Sequence, residues 1–239
     1  MQGRRRTSLA DRAVRSLAAA SVAGVIGGVL VGGIGARLAM ALLARQNPED
    51  AGRSTDDGFT VGRFTLEGTV HLMGAALQAA LIGAVAYLAL RPFVPRGLAR
   101  TVTAVLLGTV VAGSFLVRAD GADFRMLEPT WLPVVLFLAV PAGYVLVLAL
   151  LTERWLRRGS WFVGAPLPLV AAVLLVWVLS GPLLLLLLVA LVAGVAWERL
   201  VVGGARETRT ATLWAGRAMV TVVGTWALVA LAADVFALS

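Results

Sequence analysis

Apolar residues in this chain run together instead of alternating with polar ones. Seven nearly uncharged stretches lie near 14–43, 69–90, 98–117, 131–152, 162–180, 183–200 and 212–237, parted by short segments rich in Arg, Asp, Glu, Gly and Pro. A helix needs about 20 apolar residues to cross the ~30 Å hydrocarbon layer of a bilayer. The pattern therefore predicts an all-α, polytopic transmembrane bundle of seven spans. The fifth and sixth stretches are the shortest, and only Gly181-Pro182 separates them. Together they are too long for one span and carry a turn signal in the middle, so a tight helical hairpin is expected.

Composition agrees. Hydrophobic residues make up 59% of the 239 and charged ones 14%, against about 25% charged in soluble domains. The mean hydropathy is +0.89. One soluble core has no room for so much apolar surface, whereas a bilayer needs none of it covered. The lipid bilayer is the first partner implied. The charge of +8 and pI near 11.5 would suggest nucleic acid in a soluble chain. Here the basic residues lie between apolar stretches, and no nucleic-acid partner is expected. All 21 basic residues are Arg, in keeping with GC-rich coding, and no Cys is present to form disulfides or thiolate sites.

The positions of those Arg residues predict orientation. With the N-terminus inside, the inner segments hold Arg4, Arg5, Arg6, Arg12, Arg15, then Arg91, Arg96, Arg100, then Arg154, Arg157, Arg158, then Arg199, Arg206, Arg209, Arg217, fifteen in all. The outer segments hold five: Arg45, Arg53, Arg63, Arg118 and Arg125. Positive loops resist translocation, so N-in, C-out is expected. The Arg4–Arg6 run resembles the start of a signal peptide, but the following apolar stretch far exceeds the usual 7–15 residues and reads as a first span. One transmembrane domain is expected, with a four-span part (1–158) bearing polar outer loops and a plainer three-span part (159–239). In the outer loop, Phe59-Thr60-Val61 and Phe64-Thr65-Leu66 around Gly62-Arg63 predict a small surface hairpin.

The first span carries a packing signal. Ala20, Gly24, Gly28, Gly32 and Ala36 fall at four-residue spacing, a smooth ridge that lets another backbone approach closely. Helix packing is the first reading and a flexible or pore-lining helix the second. Ala75, Ala79 and Gly83 in span two and Ala104, Gly108 and Ala112 in span three are the expected partners. Arg37 is the one charge within a span. It is read as snorkelling outward, as paired with an outer carboxylate (Glu128 or Glu67 first, Asp123 next), or as holding an anionic ligand.

With Arg37, the outer residues Glu67, His71, Asp123, Arg125 and Glu128 form a candidate polar cluster. Carboxylates and a His suit metal binding or acid–base work, but their spacing matches no ligand motif. No catalytic residue, metal or cofactor is assigned. Gln78 and Ser114 are the polar groups inside spans, and Gln78 is expected to hydrogen-bond a neighbouring helix. Pro141 with Gly143 predicts a kink in span four, and Pro166 and Pro168 a distorted start to span five. Trp131, Trp155, Trp161 and Trp214 sit near span ends, as an aromatic belt does. No phosphate-binding, esterase or zinc-protease motif occurs.

Three segments carry a family likeness: Gly35-Ala36-Arg37-Leu38-Ala39-Met40, Phe64-Thr65-Leu66-Glu67-Gly68-Thr69, and Asp123-Phe124-Arg125-Met126-Leu127-Glu128-Pro129. They resemble recurring features of uncharacterised actinobacterial multi-pass membrane proteins, over roughly residues 15–158. That resemblance implies a membrane bundle in a bacterial cell (plasma) membrane and no particular activity, and it draws attention to Arg37, Glu67 and Glu128. Three functional readings remain. The first is a non-enzymatic scaffold or accessory subunit packing against other membrane proteins or itself. The second is a transporter or channel for a small solute or lipid, and the third an outer-face enzyme.

Overall fold

Ser8 starts the first helix. Its Oγ accepts the Asp11 N–H at 3.0 Å, and the Asp11 carboxylate accepts the Ser8 N–H at 3.2 Å, so two end donors are satisfied reciprocally. The computed structural model describes residues 8–50, 52, 65–121, 124 and 127–238. Helix α1 runs Leu9–Gln46, with a wider-wound π segment at Gly28–Gly35. It is followed by α2 (Leu66–Leu90), α3 (Leu98–Leu116) and α4 (Trp131–Trp155). A short α5 (Trp161–Gly164) leads into α6 (Leu167–Ala172), which tightens into a 3-10 stretch over Val173–Leu183. Helices α7 (Leu184–Trp197) and α8 (Arg206–Ala237) complete the chain. Among the described residues no strand occurs. Most of the expected surface hairpin lies outside them. Its last two residues, Thr65 and Leu66, instead cap and begin α2, with Thr65 Oγ1 accepting the Gly68 N–H at 3.1 Å.

Among the described residues five helices are long and apolar enough to cross a membrane: α1, α2, α3, α4 and α8. The described residues are thus all-helical, with apolar helices that mark a membrane-embedded protein. The expected count of seven is not reached, because the fifth and sixth segments form shorter apolar helices, Leu167–Val178 and Leu184–Trp197. Both arms pack beside the first half of α1. Val170 clusters with Ala18 and Ala19, Trp177 with Leu17, and a Cβ on Gly194 would sit 3.3 Å from the Ala13 Cβ. Leu184 at the tip lies fourteen residues before Glu198, which binds Arg12 at the foot, a climb of about 21 Å, or about two-thirds of the hydrocarbon thickness. Gly181, at φ +51°, makes the turn at the tip. Pro166 caps α6 and breaks it from α5, while α4 carries Pro141 within a continuous helix.

Helix α1 is the axis. In its most apolar stretch 56% of residues are buried, against 11% for α8. Helices α2, α4, α6 and α7 surround α1, while α3 packs on α4 and α8 on α3. The small-residue ridge is what lets α2 come close. A Cβ on Gly28 would sit 2.6 Å from the Ala80 Cβ, one on Gly24 2.8 Å from the Ala80 carbonyl oxygen, and one on Gly32 3.3 Å from the Ala76 Cβ. Ala20 is fully buried with Ala23 and Ala84, and Ala36 is half-buried. The facing residues on α2 are therefore Ala76, Ala80 and Ala84, one position along from the expected Ala75 and Ala79, which are exposed. One residue rotates the face by about 100°, so the offset turns the expected partners outward. Gly83 meets Tyr144 of α4, Gly108 meets Val145 of α4, Ala104 joins the core around Ala20, and Ala112 is half-buried.

Candidate functional site

The sequence placed its candidate cluster at the end of the bundle where α1 stops. Arg37 lies half-buried there, just past the π segment, with Nε and Nη2 shielded from solvent. Glu67 and His71 are exposed on the first turns of α2, and Glu128 is exposed before α4. Neither Glu67 nor Glu128 forms an ion pair among the described residues, which corrects the first-choice partners for Arg37. The reason is local. Glu67 occupies the first turn of α2, where a carboxylate is favoured by the helix dipole, and its side chain points outward. Asp123 and Arg125 lie outside the described residues.

What ties this end together is Asn47, the residue that caps the C-terminus of α1. Its side chain is 1% exposed. Nδ2 donates to the Leu43 carbonyl at 3.0 Å, closing the end of α1, and Oδ1 accepts the Glu128 N–H at 2.7 Å. One buried carboxamide thus caps α1 and holds the segment entering α4. Nearby, Asp234 of α8 accepts the Ala119 N–H at 3.2 Å, and Arg118 pairs with Asp120 at 3.3 Å across an exposed surface. Ser114, Phe115 and these residues line an open cavity of about 440 Å³.

The opposite end holds the more developed polar arrangement. Glu153, near the end of α4, accepts Arg91 Nε at 2.6 Å, Arg91 Nη2 at 3.3 Å, Arg100 Nη1 at 2.9 Å and the Tyr87 hydroxyl at 3.1 Å. Arg100 is 8% exposed, and its Nε donates to the Pro95 carbonyl at 3.2 Å. One carboxylate so joins α2, α3 and α4 where charge-assisted bonds are strengthened by limited water. The signal was present in the sequence. Glu153 is one of four acids among the fifteen Arg residues of the segments expected inside, and Tyr87 and Arg91 are four apart, on one face of α2. Arg12 binds Glu198 at 2.8 Å, and Arg15 Nη1 donates to the Phe162 carbonyl at 2.9 Å, fastening both hairpin feet to α1.

Between the two ends, hydrogen bonds again join helices. Trp177 Nε1 donates to Ser21 Oγ at 3.0 Å with both residues fully buried, and the Tyr144 hydroxyl donates to the Ala80 carbonyl at 2.6 Å. Gln78 does otherwise. It is exposed on α2, where a bond to a neighbouring helix had been expected. Among the described residues no three His, Asp or Glu side chains converge as a metal site. The chain matches no protein-family model, no curated protein and no solved structure.

Proposed function

We propose that this protein is a non-enzymatic scaffold or accessory subunit of a bacterial plasma membrane. The observation that carries this reading is the use made of its buried polar groups. Trp177–Ser21, Tyr144–Ala80, Asn47–Glu128 and the Glu153 cluster each bind one chain segment to another. Transport pathways, by contrast, are marked by ionisable residues facing a mid-depth cavity. The second reading, a small-solute or lipid transporter or channel, draws support from the interrupted helices: the π segment of α1 and the 3-10 stretch ending at Gly181. Proteoliposomes separate the two. Flux of small solutes or labelled lipid no faster than in protein-free vesicles, with a stoichiometric membrane polypeptide retained in mild detergent, fits the scaffold. Saturable flux overturns it.

The proposed topology has five full spans and a re-entrant hairpin formed by α6 and α7, with the N-terminus cytoplasmic and the C-terminus outside. The short arms of the hairpin favour this over seven spans, and replacing two crossings by none leaves the sidedness of every other segment unchanged. Fifteen Arg residues against five supports the orientation. Single cysteines at Arg96 and Asp120, introduced into this cysteine-free chain, are expected to react with a membrane-impermeant maleimide from opposite sides in intact cells. Labelling of both from the same side refutes the topology.

A further inference from the structure

Gln78 stands at the midpoint of α2, with twelve residues of Leu66–Leu90 on either side. About 18 Å of helix separates it from each end, so with α2 crossing the bilayer, as its length and apolarity allow, Gln78 faces hydrocarbon and not water. Among the described residues its carboxamide has no hydrogen-bond partner. Two N–H donors and a carbonyl acceptor left bare at that depth carry the full penalty of desolvation. The surrounding face is smooth. Ala75, Ala79, Ile82 and Ala86 are all exposed beside it, within a stripe about 100° wide at helical spacing. The opposite face of α2 is already used against α1, through Ala76, Ala80 and Ala84.

We propose that this outer face of α2 is the contact between two copies of the chain, each Gln78 carboxamide hydrogen-bonding the other. A second copy fits for two reasons. A carboxamide is both donor and acceptor, so it is its own complement. All copies also insert in one orientation, so a twofold axis along the membrane normal brings both Gln78 residues to the same depth, as an isologous interface requires. The alanines let the two backbones approach closely enough for the bonds to form. This deepens the scaffold reading by naming a partner, and rests on it for biological purpose alone.

The absence of native cysteine makes the test direct. Ala75→Cys in native membranes, oxidised with copper phenanthroline, is expected to give a disulfide-linked dimer. Val229→Cys serves as the comparison, because that side chain is 64% exposed on α8. The α2 position should yield at least about ten times more dimer. Adding Gln78→Leu, which keeps the shape and removes the amide, should weaken dimerisation about eightfold, the loss of two interhelical bonds of ordinary strength. The same substitution should leave the unfolding midpoint of the detergent-dispersed monomer unchanged. Equal cross-linking at the two positions, no effect of Gln78→Leu on the dimer, or a destabilised monomer overturns the proposal. So does an adduct at Ala75→Cys to a different protein, which would assign the face to another partner. Liposome flux judges the scaffold reading separately, whichever way the cross-linking falls.

Discussion

Replacing Gly28 by alanine tests the helix axis at its tightest point. The added Cβ would sit 2.6 Å from the Ala80 Cβ and 3.2 Å from the Ala76 carbonyl oxygen, where ordinary contact begins at 3.4 Å. Relief requires α1 and α2 to part by nearly an ångström, disturbing Gly24 and Gly32 as well. Overpacking of this kind costs about 1–3 kcal/mol, offset by about 0.5–1 kcal/mol from alanine's better helix propensity. The expected net loss is about 1–2 kcal/mol, measured by unfolding the detergent-solubilised protein with SDS and following tryptophan fluorescence. Removing the struck atom should reverse it. In Gly28→Ala/Ala80→Gly the two substitutions should couple favourably by about 1–2 kcal/mol. Gly24→Ala has no such remedy, since its new Cβ meets the Ala80 backbone oxygen at 2.8 Å. Gly32→Ala, only slightly tight against Ala76, should stay within about 0.5 kcal/mol of the parent. If Gly28→Ala and Gly32→Ala prove equal, or Ala80→Gly brings no recovery, the close approach of α1 and α2 is not what the ridge provides.

Glu153→Gln should lower stability by about 2–4 kcal/mol, because Arg100, with its side chain 9% exposed, is left as a buried charge without its carboxylate. Adding Arg100→Met should restore part of the loss, and no recovery would show that the pairing is incidental. Trp177→Phe and Ser21→Ala should each cost about 1–2 kcal/mol in the same assay, and the double substitution little more than one alone, since they share one buried bond. Strict additivity would mean that the bond holds nothing.

Much of the fold was legible because membrane burial writes itself into local sequence. A helix that crosses lipid must carry an unbroken apolar run, so α1, α2, α3, α4 and α8 announced themselves by length and composition alone. Four-residue spacing likewise marked the ridge on α1, since small residues at that period share one face whatever lies opposite. Gly181-Pro182 marked the hairpin turn. Local pattern does not, however, say how far a hairpin penetrates. A 3-10 stretch and a short α7 left α6 and α7 beside the first half of α1, where the sequence implied two further crossings.

Which faces meet was decided by the assembled bundle. Apolar residues surround these spans on nearly every side, so periodicity does not distinguish a face turned to protein from one turned to lipid. The expected partners on α2 were for that reason misplaced by one residue, and Gln78 was turned inward when it faces out. The polar sites followed the same logic. Charge counting found a polar cluster expected outside, because loops and helix ends are where charges gather. It passed over Glu153, whose two Arg partners and tyrosine come from different helices and meet only once α2, α3 and α4 are packed. Asn47 was missed for a similar reason: a residue that ends a helix looks local until the segment before α4 folds over it. Sequence sets what each segment requires of its solvent, which is a local matter. The pairing of side chains across helices depends on rotation and depth, and those are set by the packing of the whole bundle.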